Sequence, residues 1–458
     1  MRITLGELRD RPLSRGRRTA SSLMFGVLVA VCALAGFGPV AADDRLGEIL
    51  TDSCSSFSDR CRLDGRSLSE QATLFGEMGD LRPEFADYGI TSKNSATLFY
   101  QGIARGGKEE AFQFGGRNDY YFTADGHKLG LWEGLLIDLH GETRYGEDVN
   151  GLTGAISPAN TALLFPVPGE SVTALTGLKF TQIVNEHLVT FAGKLNTLDG
   201  YLNPFAAGKG QTQFMNTSFV LPPILGRTVP YSSLGAGFAV MQGPEPVFSL
   251  MVIDPVNNPT TSGFEQFFEN GVTLFGELSR PVKIAERPGH QQLLFSYSNR
   301  TVTALDGAAY IVTPDGPVVL FSQQSHSWSL VYAFDQYLVV DPCDPTRGWG
   351  VFGQLGISDG NPNPIRSTAT FGVSGSSPLR SRPRDTFGVG YYFMQTSTAL
   401  QETLVNVRPV GNEQGVELFY NIGVTKWFHV TPDVQFIEPS GQAAEAAVVV
   451  GVRSRIEF

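Results

Sequence analysis

Apolar and polar residues alternate along many short segments of this chain. Residues 135–145, LLIDLHGETRY, show the pattern: every second residue from Leu135 is apolar, aromatic or small, and the residues between include Asp138, His140, Glu142 and Arg144. A β-strand places two such sets on opposite faces of a sheet. The pattern therefore predicts a sheet with one oily face and one charged face.

About sixteen segments of this kind are separated by Gly, Pro, Asn and Asp. They lie at 96–105, 111–124, 130–144, 171–183, 186–196, 233–242, 246–254, 270–281, 289–302, 325–336, 347–358, 366–375, 384–396, 413–424, 428–438 and 445–458. Each has roughly the length that a tilted strand needs to cross a bilayer or to line a large barrel.

The connections between these segments alternate in length. Those after the second, fourth, sixth and eighth strands are short, whereas those after the third, fifth, seventh and ninth are long: 145–170, 197–232, 255–269 and 303–324. Such an alternation indicates antiparallel strands with tight turns at one rim and large loops at the other, as in outer-membrane barrels. The connections 337–346 and 376–383 are longer than a minimal turn. The predicted fold class is all-β, an antiparallel up-and-down transmembrane barrel.

The width of the barrel determines which face of the sheet contacts water. In the last segment, apolar residues from Ala446 to Phe458 alternate with Arg453, Arg455 and Glu457. About sixteen strands enclose an interior too wide for side chains to fill, so it holds water. The oily faces must then point outward to lipid, and Asp138, His140, Glu142 and Arg144 are predicted to line the channel.

The same rule places further polar side chains on the channel wall. In the fifth segment, Thr190, Lys194 and Asn196 alternate with Val189, Phe191 and Leu195, which are assigned to the lipid face. The other predicted wall residues are Arg117, Asp119 and Tyr121 on the second strand and Lys179 on the fourth. Opposed charges across a channel orient water and disfavour apolar solutes. The alternative is a solvated wall that tunes conductance without contacting a solute specifically.

The first 42 residues differ from everything that follows. Six arginines precede the apolar run 23–42, which ends in the small residues Val40-Ala41-Ala42. This order predicts a cleaved secretory signal peptide over 1–42, with an uncleaved membrane anchor as the alternative. The formal charge of −11 becomes more negative once this basic segment is removed, which argues against a nucleic-acid partner.

Residues 43–95 are polar and compatible with helix. A short helix is predicted from Arg82 or Pro83 to about Gly89, because proline suits a first helical turn. We expect this segment to be periplasmic, with a disordered tail as the alternative for residues 43–70. The barrel domain is then 96–458.

Three cysteines remain after export. Cys54 and Cys61 are close enough in sequence for a small disulfide, or else they are free thiols; Cys343 is left over. There is no Cys/His quartet at zinc-ligand spacing. His140 and Glu142 form an H-x-E pair without the P-C-x-x-C partner of zinc deaminases. No metal, cofactor or catalytic site is predicted.

An ordered set of motifs over residues 74–458 resembles the carbohydrate-selective porin family of Gram-negative outer membranes. The motifs are LFGEMGDLRPEFADYGI, GRNDYYFTADGHKLGLWEG, FMNTSF, GWGVFGQLGISDGNPNP, GVELFYNIGVTKWFHVTPDVQFIEP and VVVGVRSRIEF. The resemblance implies a sixteen-stranded barrel in the outer membrane that passes monosaccharides and polyols by diffusion. It also implies contact with outer-membrane lipids, and Phe458 resembles the terminal signal read by the outer-membrane assembly machinery.

The resemblance also gives the third long loop a role. In porins of this architecture it commonly folds into the barrel and forms the constriction. Phe205 and Phe214 would then stack on sugar faces, and Asn216 would bind hydroxyls. The alternative is that these rings pack the loop against the wall.

Other functions remain open. The same barrel serves as a general porin or one for other solutes. An outer-membrane lipase or protease is less favoured, as is a secreted soluble glycan-binding β-protein. A homotrimer and a monomer are both compatible with the sequence.

Overall fold

A computed structural model describes residues 68–78, 80–306, 309–313, 316–320, 322–341, 344–406 and 408–458. The chain divides into the units Met1–Cys61 and Arg62–Phe458, and the described residues belong to the second unit. The predicted signal peptide, the Cys54–Cys61 pair and Cys343 lie outside the described residues. So do residues 43–67 and 79 of the segment predicted to be periplasmic.

Sixteen antiparallel strands close into a barrel, in which the last strand pairs with the first. The sixteen-stranded expectation is confirmed. The barrel strands are β1 Ile90–Gly107, β2 Phe112–Asp125, β3 Leu135–Gly146, β4 Val172–Asn185, β5 Leu188–Asn196, β6 Ser232–Gln242, β7 Glu245–Ile253, β8 Thr273–Ile284, β9 Arg287–Ser298, β14 Ser327–Asp341, β15 Asp344–Ser358, β16 Ile365–Ser376, β17 Thr386–Thr396, β18 Glu413–Gly423, β19 Phe428–Glu438 and β20 Glu445–Glu457.

Four short strands lie within the connection after β9. They are β10 Val302–Thr303, β11 Ala309–Thr313, β12 Gly316–Leu320 and β13 Gln323–Gln324; β11 pairs with β12, and β10 pairs with β13. The sequence pattern predicted only a loop here. These strands are too short for alternation to be recognised.

Helices are few and short. They are α1 Leu81–Asp87, α2 Asn150–Thr153, α3 Thr217–Val220 and α4 Thr398–Leu404, with 3₁₀ turns at Leu68–Glu70, Thr197–Asp199, Gly208–Gly210, Pro223–Arg227 and Phe264–Gln266. The predicted helix near Pro83 is confirmed as α1. In the described part of the chain, every helix is too short or too polar to span a membrane.

The first strand begins earlier than predicted. β1 starts at Ile90 and not at residue 96, and Ile90 already pairs with Ala124 of β2. Its first residues, ITSKNS, are mostly polar on both faces, so the period-two pattern is weak there. Cross-strand pairing extends the strand where local alternation does not.

The faces of the barrel follow the predicted polarity on most strands. On β3, His140, Glu142 and Arg144 are buried while the residues between them are half-buried. The outer surface exposes large apolar side chains, among them Phe114, Leu278 and Phe371. The oily face therefore points outward, as lipid contact requires.

The face assignment on β5 is wrong in its first half. Phe191 lies opposite Thr181 on β4, and the neighbouring inward pair on this ladder is Lys179 with Gly193. Directly paired residues share a face, so Phe191 points inward with Lys179. Gly193 has a positive φ of 136°, which interrupts the alternation before Asn196, whose side chain again reaches His140 inside the barrel.

Two long connections fold into the barrel. The inner loop, residues 197–231, packs Phe205, Phe214 and Phe219 onto wall residues of β15, β17 and β18. Its 3₁₀ turn at Pro223–Arg227 packs Ile224 and Leu225 onto β9, β14 and β17. The connection 147–171 packs against β1 and β20 through Val149 and Ala159. These contacts place the candidate site.

Candidate functional site

The inner loop is fastened to the far wall of the barrel by Glu417 of β18. Its Oε1 accepts the Met215 N–H at 2.5 Å, and its Oε2 accepts the Asn216 N–H at 2.9 Å. Glu413 lies four residues earlier on the same face of β18 and accepts the N–H groups of Ile156 at 2.6 Å and Ser157 at 2.9 Å. Two inward carboxyl groups on one strand thus hold both inner connections by their backbones.

Arg453 of β20 adds a third attachment. Its Nη1 donates to the carbonyl oxygens of Gly210 at 2.9 Å and Gln213 at 2.8 Å. The neighbouring Arg455 makes a single bond to the loop, from Nη1 to Gln211 Oε1 at 2.7 Å. The middle of the inner loop is therefore bound to β18 and β20, across the barrel from β5 and β6, the two strands that the loop connects.

Asn216 does not face a passage, which corrects the predicted role. Its side-chain oxygen accepts the Ser218 N–H at 3.0 Å and so begins α3, while its Nδ2 donates to Gln435 at 3.2 Å. The residue is buried. An amide at this position caps a helical turn, as asparagine commonly does.

Phe205 and Phe214 are also not available to a solute. Phe214 is 0 % exposed, lies 4.6 Å from the Phe219 ring and meets Phe419 edge-on at 4.9 Å. Phe205 packs against Tyr337 at 4.7 Å. The rings hold the loop against the wall. This is the alternative that the sequence left open, and it follows from apolar rings seeking burial.

The charged residues of β2 and β3 form a closed network. Arg117 Nη2 lies 2.8 Å from Asp119 Oδ1 and also contacts Glu142. His140 Nε2 lies 3.1 Å from Asp119 Oδ1 and 3.3 Å from Glu142 Oε1. Tyr231 of the inner loop donates its hydroxyl to Glu142. All five side chains are buried.

This burial corrects the prediction that Arg117, Asp119, His140 and Glu142 line an open channel. They point inward as predicted, but the inner loop covers them. A buried charge needs a partner, and the cross-strand register supplies it by setting Asp119 opposite Glu142 with Arg117 alongside.

The ligand atoms of Asp119, His140 and Glu142 lie within 4.8 Å of one another, a spacing compatible with a metal ion. Arg117 contacts both carboxylates of this group. Its guanidinium supplies the positive charge that a cation would otherwise provide.

The network reaches the surface of the inner loop through Asp199. Its Oδ2 lies 3.0 Å from His140 Nδ1, and its Oδ1 contacts Lys209. Lys209 also donates to the Tyr121 hydroxyl at 2.6 Å, and the Tyr121 ring stacks on His140 at 3.9 Å. The side chains of Asp199 and Lys209 are 31 % and 24 % exposed.

Asp199 is ionised at neutral pH. Burial opposes the charged carboxylate, but the hydrogen bond from His140 and the charge of Lys209 outweigh it and lower the pKa of Asp199 below its ordinary value. A carboxylate and an ammonium therefore lie side by side on the inner loop, and both side chains are partly exposed.

A further correction concerns three residues predicted to line the channel. The side chains of Arg144, Lys194 and Asn196 instead bind loop segments. Arg144 donates to the carbonyl of Leu163, to Glu170 O at 2.8 Å and to Asp148 at 2.6 Å. Lys194 Nζ donates to backbone carbonyls, including Thr261 O at 2.7 Å. Asn196 caps the 3₁₀ turn Thr197–Asp199 through the Leu198 N–H.

Asp138 and Lys179 remain accessible. Their charged atoms are 3.2 Å apart, and the side chains are 36 % and 42 % exposed. Thr123 donates its hydroxyl to Asp138 at 2.8 Å. This pair lies toward the rim with the tight turns, away from the inner loop.

Several residues of the site were missed. The alternation places Arg453 on the charged face of the last strand but assigns it no role in the site. Glu413 and Glu417 obey the same inward period, so the pattern contained their signal. Asp199 and Lys209 lie in an irregular loop, where no periodicity applies.

Phe458 lies at the same rim as the start of β1. Its N–H donates to Asn94 O at 3.1 Å, and its ring lies 5.9 Å from that of Phe75.

Comparison with known proteins places this geometry among porins. Residues 110–458 match the model of the carbohydrate-selective porin, OprB family. Porin B of Pseudomonas aeruginosa is 26 % identical over 230 residues, which are 45 % of this chain and 50 % of that protein. The alignment thus spans half the length of this relative.

Two solved structures share the fold. The high-pH structure of Pseudomonas putida OprB has a TM-score of 0.73 at 18 % identity, and the match covers 86 % of this chain and 100 % of that one. The low-pH structure of the same protein has a TM-score of 0.51 at 17 % identity, with 85 % and 99 % covered. At these identities the likeness concerns the fold alone.

Proposed function

Because the chain belongs to the carbohydrate-selective porin family, we propose that it is an outer-membrane channel through which small carbohydrates diffuse passively. The solutes are monosaccharides and polyols. The family and the barrel fold indicate a channel and not an enzyme.

The observation that carries this proposal is the inner loop, bound across the barrel to Glu417 and Arg453. A loop fixed at both its ends and its middle narrows the lumen permanently. It does not act as a gate that opens and closes. Its surface presents Asp199 and Lys209 beside Tyr121. The narrowing is therefore polar and carries both signs of charge.

Such a lining suits neutral, hydroxyl-rich solutes. A polyol exchanges its hydrogen bonds with water for bonds to a carboxylate, an ammonium and a phenol, at little net cost. Passage needs binding that is favourable enough for entry and weak enough for release. No coupled energy source is required, so the solute gradient drives the flux.

The second candidate is a general porin, or one for other solutes, on the same barrel. The Asp138–Lys179 pair favours this second candidate. Both side chains are exposed, and the inner loop does not contact them to form a defined binding site. A wall of this kind excludes solutes by size and charge only.

Location and partners form part of the proposal. Residues 1–42 would be removed as a signal peptide after export, and the apolar outer face would contact outer-membrane lipids. Phe458 would be read by the barrel assembly machinery. The barrel would work as a monomer or a homotrimer, and no nucleic-acid partner is expected.

Liposome swelling with the refolded full chain tests the proposal. We expect fast entry of glucose and slow entry of a disaccharide and of a neutral amino acid of glucose size. Equal rates for glucose and the amino acid would instead favour the general porin. Absence of swelling and of conductance steps in a planar bilayer would reject both channels.

A pair of variants links the result to the inner loop. Lys209→Gln is expected to change the ratio of glucose to amino-acid entry, because it removes one charge from the narrowing. Lys128→Gln, in the exposed turn between β2 and β3, is the matched control and should leave the ratio unchanged.

A further inference from the structure

A cavity lies at the loop rim, away from the Asp199–Lys209 pair. It is bounded by the end of the inner loop and by the connections that follow β9 and β15, and its volume is ≈ 530 Å³. Its polar lining consists of Arg227, Arg300, Thr301, Thr303 and Gln323. The 3₁₀ turn Pro223–Arg227 positions Arg227, since Ile224 and Leu225 of the same turn are buried against the wall.

The two arginines of this cavity lack acidic partners among the described residues. Arg300 Nη1 donates to Pro255 O at 3.2 Å, a neutral acceptor. Asp359 approaches Arg227 but stays beyond ion-pair distance, and its Oδ2 accepts the Trp328 N–H at 3.0 Å. By contrast, Arg117 of β2 and Arg144 of β3 each contact a carboxylate.

The arginines also act on each other. Partial burial, followed by the charge of Arg300, lowers the pKa of Arg227, and Asp359 offsets this only in part. Two like charges beside one cavity raise its free energy. Both arginines are exposed to solvent, so a bound anion is attracted to them and relieves their repulsion, whereas a neutral sugar does not relieve it and a cation is repelled.

The remaining residues that line the cavity favour a ligand that carries hydroxyl groups in addition to its anionic group. Thr301, Thr303 and Gln323 offer hydroxyl and amide groups that both donate and accept. Guanidinium groups bind carboxylates through two parallel hydrogen bonds. We propose that the Arg227–Arg300 cavity is an entry site for carboxylated monosaccharides, such as uronic and aldonic acids, with the arginines on the carboxylate and the threonines and glutamine on the hydroxyls.

This site would widen the range of solutes beyond the neutral sugars of the proposed function. It lies at the outer mouth if the long connections face outward, so it would concentrate acidic sugars ahead of the narrowing. Binding here does not depend on transport, so the two proposals fail separately.

Isothermal titration calorimetry of the full chain in detergent tests the site by measuring the affinity for each ligand. The ligands are glucuronate, gluconate, glucuronamide, glucose and acetate, at low and at high salt. We expect glucuronate and gluconate to bind about tenfold more tightly than the uncharged glucuronamide, the scale of one charge-assisted contact. Acetate should bind weakly, and salt should weaken both sugar acids.

Variants tie the binding to the arginines. Arg227→Gln with Arg300→Gln should bring glucuronate down to the level of glucuronamide. Arg380→Gln, an exposed arginine in the turn between β16 and β17, is the matched control and should bind like the parent protein. A heat-modifiable shift on gels, retained by the double variant, shows that the barrel has folded, whether or not the channel passes glucose.

Three results would overturn the proposal. Equal affinity for glucuronate and glucuronamide would remove the role of the carboxylate. Acetate as tight as glucuronate would remove the role of the hydroxyl partners. Unchanged glucuronate binding in the double variant would place the site elsewhere.

Discussion

Arg453 offers the sharpest test of a loop that sets the passage. Its Nη1 holds two backbone carbonyls of the inner loop, Gly210 O and Gln213 O, and the residue is buried. Arg453→Met keeps much of the side-chain length but removes both donors. A hydrogen bond to a charged group contributes about 1.5–3 kcal/mol. Losing two therefore weakens this attachment by about 3–6 kcal/mol, and the change leaves two buried acceptors unpaired.

The expected consequence is a loop that detaches more often. Each ~1.4 kcal/mol is a factor of ten in an equilibrium constant, so the detached fraction rises by at least about a hundredfold. The variant should admit a disaccharide faster and expose residues 197–231 to proteinase K. Arg455→Met is the graded control, because Arg455 makes one bond to the loop, to a side chain.

The readouts are liposome swelling with glucose and a disaccharide, and mapping of the proteinase K cuts. A heat-modifiable shift on gels, retained by both variants, shows that the barrels are closed. If Arg453→Met has the disaccharide rate and protease resistance of the parent, the loop is not held by this residue. Equal effects of the two variants would instead point to the loss of positive charge alone.

Three further predictions concern other parts of the chain. Phe214→Ala should destabilise the barrel by about 3–5 kcal/mol through the cavity it leaves, seen as an earlier loss of the heat-modifiable band, whereas Phe371→Ala on the outer face should do so far less. Lys209→Gln leaves Asp199 without its ammonium partner, so the reversal potential in a KCl gradient should shift toward cation selectivity; an unchanged potential would place the pair away from the ion path. Cys54 and Cys61 should react with a maleimide in the denatured protein only after reduction; labelling of these two residues without reductant, distinguished from Cys343 by peptide mapping, would rule out their disulfide.

The strand order and the side-chain faces could be predicted from sequence because both depend on local periodicity. On β3, alternation alone set His140, Glu142 and Arg144 on the inner face, and the structure confirms that direction. On β5 the same rule fails at Gly193, whose positive φ is not visible in a hydrophobicity pattern. Glycine permits a positive φ, but its presence in a sequence does not show that the residue adopts one.

Burial inside the barrel could not be predicted in the same way. The sequence indicates that a side chain points inward, but whether it meets water depends on contacts between residues far apart in the chain. Glu417 reaches Met215 across about two hundred positions, and Tyr231 reaches Glu142 across about ninety. Such pairs leave no periodic signal in one sequence.

The inner loop therefore changes what the charges of the wall do. A barrel of this width would leave Arg117, Asp119 and Glu142 in water, where screening makes ion pairs weak. Covered by the loop, the same groups lose solvation and must satisfy one another. Breaking one partner then costs far more than a surface pair would. The charged residues that the sequence assigned to the channel wall instead hold the loop in place, and in the proposed function the loop presents Asp199 and Lys209 to the solute. A substitution in the buried network should thus alter permeation through the position of the loop. One at Lys209 removes a charge as well as the contact with Tyr121, so it should also change the charge selectivity of permeation.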